Sequence, residues 1–330
     1  MDPVSQACLG ASLSQSSTSV KSQQVSALII GALAGMAPDL DALIRSADDP
    51  LLFLEFHRQF THSLFFIPFG SLLCALIFYP FYKSKLSFKK IYLFSFLGFA
   101  THGLLDACTS YGTLLFWPFS NERIAWNTVS IIDPFFTFPL IAFVLLAVFK
   151  KRVLFARIGF IYAVLFLSLG LVQKYRAQEM LNDMALKRGH ILERVSVKPS
   201  FANRHVWKTI YEYDGRYYVD AVRLLWRAEL IEGASVEKLN IKRDLPWLDL
   251  DSQQAKDIER FRLFSSDFLA LSAESDDFII DVRYSFLPNS IESMWGIVLS
   301  DEKGVFQHVG YKIRNRPAKE TVEQFFEMIF

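Results

Sequence analysis

The 330-residue chain carries 35 Lys+Arg against 34 Asp+Glu, a net charge of +1, and 52% of its residues are apolar, 32 Phe among them. That balance, without a long basic run, excludes nucleic-acid binding by bulk electrostatics. Three cysteines (Cys8, Cys74, Cys108) and no CxxC pair exclude a disulfide scaffold and a thiolate zinc site.

The charge is unevenly spread. Residues 1–173 hold only 12 of the basic and 9 of the acidic residues. This predicts an α-helical polytopic membrane bundle over 1–173, with four to five membrane segments, followed by a water-facing α+β domain over 174–330. After a low-complexity patch, Ser12–Ser22, comes the short apolar segment Val25–Ala37. It spans a bilayer only if it continues through Ile44, and is otherwise a half-helix. A signal peptide is disfavoured because Lys21 alone makes a poor positive flank. Ser63–Tyr82, Ile91–Ala107, Ile131–Phe149 and Ala156–Val172 approach the roughly 20 apolar residues that cross about 30 Å of hydrocarbon.

Basic residues in short loops orient such a bundle. Lys83, Lys85, Lys89 and Lys90 in one loop, and Lys150, Lys151, Arg152 and Arg157 in another, place both loops in the cytoplasm. The C-terminal domain is then extracytoplasmic. The same assignment gathers Asp39, Asp41, Asp48, Asp49, Glu55, Asp106, Glu122 and Asp133, with His57, His62 and His102, near the outer face. Beyond residue 174 a helical polar stretch runs to about Gly189. Strands follow over Arg204–Tyr213 and Arg216–Trp226 around the Asp214-Gly215 turn signal, then Phe278–Ser285, Met294–Leu299 and Phe306–Tyr311. Helices are expected over Ala255–Phe264 and, after Pro317, over Ala318–Ile329. His190 and His205 lack acidic partners at ligand spacing and read as sheet or surface residues.

Four stretches carry residues suited to chemistry. Asp39 and Asp41 of Pro38-Asp39-Leu40-Asp41 converge on a cation only from a turned or extended backbone; as i and i+2 they cannot share a helix face. His57 and His62 flank Arg58, whose planar fork suits phosphate or carboxylate. His102 and Asp106 are i and i+4, stacked on one face of an apolar helix, where an ionisable pair is costly unless paired or hydrated. Asp133-Pro134 has the form of a helix cap, with a role behind a ligating imidazole as the alternative. Mixed imidazole and carboxylate donors suit Zn²⁺, Mn²⁺ or Fe²⁺, and six candidates (Asp39, Asp41, His57, His62, His102, Asp106) suffice for one or two ions.

The motifs PDLD, HRQFTHS and HGLLDACTSYGT, the later Asp-Pro and the opening Met1–Gly10 together resemble the YdjM-like bacterial inner-membrane proteins over about residues 1–150. Gln59 stands where such proteins often carry glycine, which alters the turn between His57 and His62. The resemblance implies an inner-membrane location and a metal-dependent hydrolase, in some members under LexA control, without a substrate.

The expectation is an integral-membrane hydrolase at the outer membrane–water interface, acting on a lipid or another amphipathic ester or phosphate. Arg58 would steady the anion, and a carboxylate such as Asp41 would act as base. The alternative is a non-enzymatic metal-binding transporter, channel or sensor with an external ligand-binding domain. The partners expected are the lipid bilayer and a lipid-like substrate, with no nucleic acid; the oligomeric state is left open.

Overall fold

A computed structural model describes residues 1–330. The chain forms two compact units. One comprises Met1–Leu43, Phe56–Val172 and Phe201–Asn203; the other comprises Ile44–Glu55, Gln173–Ser200 and Arg204–Phe330. The helices in chain order are α1 (Pro3–Ser16), α2 (Gln24–Met36), α3 (Leu52–Phe56), α4 (Ile67–Tyr82), α5 (Phe88–Ala107), α6 (Pro134–Phe149) and α7 (Val153–Lys187).

In the first unit α1 lies against α2, α5 and α6. No apolar period announces it, yet Ser5, Gln6, Ser12, Ser14 and Gln15 are all buried. Asp2 caps its start, accepting from the Ser5 amide, with Pro3 in the first turn. Its buried hydroxyls donate to main-chain carbonyls of neighbouring helices: Ser14 to Phe94 and Ser12 to Ala156, both at 2.8 Å. Such contacts need backbones at close range, and small residues supply it. A Cβ on Gly98 would lie 2.3 Å from the Gly31 carbonyl oxygen, and one on Gly10 would lie 2.5 Å from the same atom. Helices α1, α2 and α5 therefore meet at three glycines.

The expectation of four to five membrane segments is not met. Two helical stretches are long and apolar enough to cross a bilayer, Lys21–Leu43 and Val153–Lys187. A third arises only if Leu52–His62 and Ile67–Tyr82, which meet at 85°, count as one broken span. The expected segment Ile131–Phe149 is helical only as α6, whose 16 residues reach about 24 Å at 1.5 Å per residue. Helix α5, expected as the span Ile91–Ala107, is not among the apolar candidates. It packs against α1, α2 and α4, and buries Ser95, Thr101, His102 and Asp106. A helix lined by other helices need not be apolar all round, so hydropathy is a poor guide to it. Val25–Ala37, the weakest of the expected segments, proves to be the centre of a 23-residue apolar stretch.

The second unit holds two four-stranded antiparallel sheets. The first is β1 (Arg194–Pro199), β2 (Val206–Tyr213), β3 (Arg216–Leu224) and β4 (Ala228–Glu237) in sequential order. After α8 (Ile241–Asp244) and α9 (Gln253–Phe264), the second sheet follows as β5 (Leu269–Ser272), β6 (Ser275–Asp281), β7 (Trp295–Val298) and β8 (Gly310–Ile313), and α10 (Lys319–Ile329) ends the chain. Asp214 and Gly215 have φ of 49° and 66°, as the two-residue hairpin joining β2 to β3 requires. Ile210, Tyr217 and Val219 of one sheet pack with Ala270, Phe278 and Ile280 of the other. The polar end of α7 lays Ala177, Leu181 and Met184 on Trp207, Tyr211 and Val222. The third expected strand near the C-terminus, Phe306–Tyr311, is mostly loop, and pairing begins at Gly310.

Ile44–Glu55 folds with this second unit. Arg260 of α9 grips Asp49 (2.7 Å) and Glu55 (2.5 Å), and Phe53 sets its ring edge on Tyr311. Two of the carboxylates expected to gather with the histidines are thus committed to an arginine.

Gly98→Ala should destabilise the first unit by about 1–3 kcal/mol through overpacking. The readout is the thermal midpoint of the detergent-purified protein. An unchanged midpoint would mean that α2 and α5 can part without cost.

Candidate metal centre

Three short stretches build the site. The 3₁₀ turn Ala37–Leu43 that continues α2 carries Asp39 and Asp41. The segment from Phe56 to His62 carries His57, Arg58, Thr61 and His62, and the last turns of α5 carry His102 and Asp106. Arg58 takes the left-handed conformation (φ 65°), one residue before Gln59, and this reverses the chain between the two histidines. Gly103, between the two α5 donors, allows the approach: a Cβ there would lie 2.1 Å from the His62 carbonyl oxygen.

Asp39, His62, His102 and Asp106 each offer one donor atom, all within 4.8 Å of one another. His62 Nε2 lies 3.4 Å from Asp39 Oδ1 and 3.3 Å from Asp106 Oδ2. His102 Nε2 lies 3.3 Å and 3.7 Å from the same two oxygens. The two Nε2 atoms are 2.9 Å apart. Donors about 2.0–2.2 Å from one tetrahedral ion sit roughly 3.3–3.6 Å from each other, so the spacing suits a single divalent cation.

Hydrogen bonds identify the nitrogens that face inward. His102 Nδ1 is 2.6 Å from the Gly35 carbonyl, an acceptor only, so this nitrogen carries the proton. His62 Nδ1 is 2.9 Å from Thr61 Oγ1 and 3.2 Å from Asp41 Oδ2, while Thr61 Oγ1 donates to Asp41 Oδ2 at 2.6 Å. The hydroxyl has given its proton away, so His62 Nδ1 is the donor there too. With Nδ1 protonated on both rings, two neutral imidazoles would turn Nε2 lone pairs toward each other at 2.9 Å. Only a proton or a cation between them relieves that repulsion. Asp106 Oδ2, which also pairs with Arg58 Nε at 3.0 Å, points to the same spot. This donor set fits a divalent metal, with a backbone carbonyl and a carboxylate fixing the two tautomers from behind.

The other expected residues lie around this core. His57 Nδ1 is 2.7 Å from Asp41 Oδ1, and its ring, 20% exposed, stands edge-on to His62. Asp41 Oδ2 also accepts from the Arg58 amide at 3.1 Å, so both its oxygens are engaged. Asp39, Asp41 and His57 form a second close group of donor atoms. Arg58 Nε is 3.0 Å from Asp106 Oδ2, its Nη1 donates to Thr109 Oγ1 at 3.0 Å, and its guanidinium lies over the Tyr111 ring. Asp133 caps α6, accepting from the Phe135 and Phe136 amides. Sequence reasoning missed Gln6, whose Nε2 donates to Asp106 Oδ1 at 2.9 Å, and the Met1 amino group, which pairs with the same oxygen. It also missed the Gly35 carbonyl. None of these bears a metal-ligand signature. Of the donors, only Asp39 is partly exposed, at 27%, so the site opens on its side.

A helical unit that buries a two-His, two-Asp donor set at one end, with a β-rich unit following, defines an integral-membrane protein carrying a candidate metal centre. The chain belongs to the YdjM inner membrane protein family, whose model matches residues 1–177 and so contains every donor described. Over 110 residues it is 33% identical to the uncharacterized protein YfhP of Bacillus subtilis, a stretch that is 33% of each chain. Over 108 residues it is 32% identical to the inner membrane protein YbcI of Escherichia coli, which is 32% of this chain and 61% of that protein. The match thus covers less than two thirds of either curated relative. No solved structure matches the chain.

Metal content per protein in matched detergent preparations tests the centre. His62→Ala, His102→Ala and Asp106→Ala should each remove most of the bound metal. Asp41→Asn, which disturbs the support behind His62 together with the His57 contact, should weaken metal affinity about 10–100-fold. Full occupancy in His102→Ala would reduce the pair to a helix staple.

Proposed function

We propose that this chain is a membrane-embedded, metal-dependent hydrolase acting on an amphipathic ester or phosphate, with Asp39, His62, His102 and Asp106 holding the ion. The observation that carries this reading is the close grouping of His62 Nε2 and His102 Nε2 with Asp39 Oδ1 and Asp106 Oδ2, four donor atoms all within 4.8 Å of one another. A divalent ion there would supply a Lewis acid and lower the pKa of water toward about 7.

The chain's own residues supply the rest. Asp41 holds His57 Nδ1, which leaves His57 Nε2 free to take a proton from the attacking water and return it to the leaving group. The expected role of Asp41 as base is thereby passed through His57. Arg58, fixed by Asp106 and Thr109, places a cation beside the donors and steadies the anionic oxygen of the substrate. Asp39, on the open side, borders the entry path.

We also propose an orientation. Helix α5 runs from Lys89-Lys90 to His102 and Asp106, and α6 runs from its cap at Asp133 to Lys150-Lys151. Basic loops and donor residues thus sit at opposite ends of these helices. The positive-inside tendency then puts the donors at the outer face of the inner membrane and the β-rich unit outside the cytoplasm. Reporter fusions at Ser87 should read as cytoplasmic and at Asp214 as external; the reverse pattern overturns the orientation.

Activity is tested on metal-loaded, detergent-purified protein with a panel of phospholipids and amphipathic esters, products being read by mass spectrometry. His57→Ala should retain metal and lose roughly 100-fold or more in turnover, the scale of a positioned acid–base group. Arg58→Lys should keep the charge opposite Asp106, and hence the metal, but lose turnover with the planar fork. Stoichiometric metal with no product across the panel would instead select a non-enzymatic metal-binding sensor or transporter.

A further inference from the structure

We propose that the tip of the β3–β4 hairpin, Leu225-Trp226-Arg227, sits in the headgroup layer of the bilayer that α7 crosses, as a second membrane contact of this chain. The inference rests on α7 being a span and is independent of the hydrolase reading.

Helix α7 runs unbroken for 35 residues and is the most apolar span candidate in the chain. Its exposed apolar surface continues through Leu171 and Val172, and the sequence then turns polar at Gln173-Lys174-Tyr175-Arg176. The hairpin tip is fastened at that transition. Gln173 Nε2 donates to the Leu224 carbonyl at 3.5 Å, and Arg176 Nη2 donates to the Leu225 carbonyl at 3.3 Å. Arg176 is braced in turn by Gln173 Oε1 at 2.7 Å.

The distances set the depth. At 1.5 Å per residue, Arg176 lies about 6 Å along the helix beyond Val172. A hydrocarbon core of about 30 Å inside a bilayer of about 40–45 Å leaves an interfacial layer of roughly 5–7 Å on each side. The tip therefore falls within that layer.

Its composition fits the same place. Trp226 is fully exposed and Leu225 is 40% exposed. An indole left wholly in water gains nothing from its large apolar face, whereas at the interface the ring is half-buried and its N–H stays wet. Arg227, also exposed, can meet lipid phosphate. Tyr175, on α7 at the same level, is 65% exposed. Two separate elements thus present aromatic rings at one depth, and a single headgroup layer accounts for both.

The test uses the full chain in liposomes whose phospholipids carry bromines near the carbonyl region. Six tryptophans contribute to the emission, so wild type is compared with Trp226→Phe, a conservative change at an exposed tip. The bromine-quenchable emission should fall by about one tryptophan's share of the six, while the fraction quenched by aqueous acrylamide stays constant. A fall in the acrylamide-quenched fraction with bromine quenching unchanged would place Trp226 in water and overturn the proposal. A nitroxide on Trp226→Cys gives a second reading. Relaxation by dissolved oxygen exceeding that by a water-soluble nickel chelate supports the proposal, and the reverse order defeats it.

Discussion

Two imidazole nitrogens, His62 Nε2 and His102 Nε2, face one another across 2.9 Å, and the surrounding structure is arranged to hold them there. The Gly35 carbonyl, at the end of α2, fixes His102. Asp41 and Thr61 fix His62. Asp39 and Asp106 bring negative charge to the same point. Arg58 offsets part of that charge by pairing with Asp106 Oδ2. Buried carboxylates and imidazoles are costly unless paired, and a cation at the centre would complete the pairing of Asp39, His62, His102 and Asp106.

Holding three chain segments so close requires an unusual bundle. Gly103 admits the His62 backbone to the face of α5, and Gly10, Gly31 and Gly98 let α1, α2 and α5 approach to main-chain contact. Van der Waals packing of small residues is the main adhesive available between helices in lipid. It also explains how a serine- and glutamine-rich helix such as α1 can lie inside the unit, because its hydroxyls meet carbonyls at once. Helix α5 is likewise enclosed by α1, α2 and α4.

The second unit is bound into the chain twice. The polar end of helix α7 enters the core of the first sheet through Ala177, Leu181 and Met184. The stretch Ile44–Glu55, which joins Asp41 to His57 in sequence, folds with α9 through Arg260. The residues that flank the proposed centre are thus continuous with a segment anchored elsewhere. This connectivity could not be read from composition, because Asp49 and Glu55 look like any other acids near a membrane.

Much of the chemistry was legible from local pattern. The i, i+4 relation of His102 and Asp106, the charge contrast between the two halves and the Asp214-Gly215 turn each depend on neighbours within a few residues, and so survive in a one-dimensional reading. The family resemblance likewise lay in short motifs. Long-range facts did not show: which imidazole nitrogen faces inward, that Asp41 is occupied by His57, Thr61 and the Arg58 amide, and that Gln6 reaches Asp106 across a hundred residues. The number of spans misled for the same reason. Apolarity along a sequence measures what a helix would meet alone, whereas α5, packed on α1, α2 and α4, buries Ser95, Thr101, His102 and Asp106 among its neighbours.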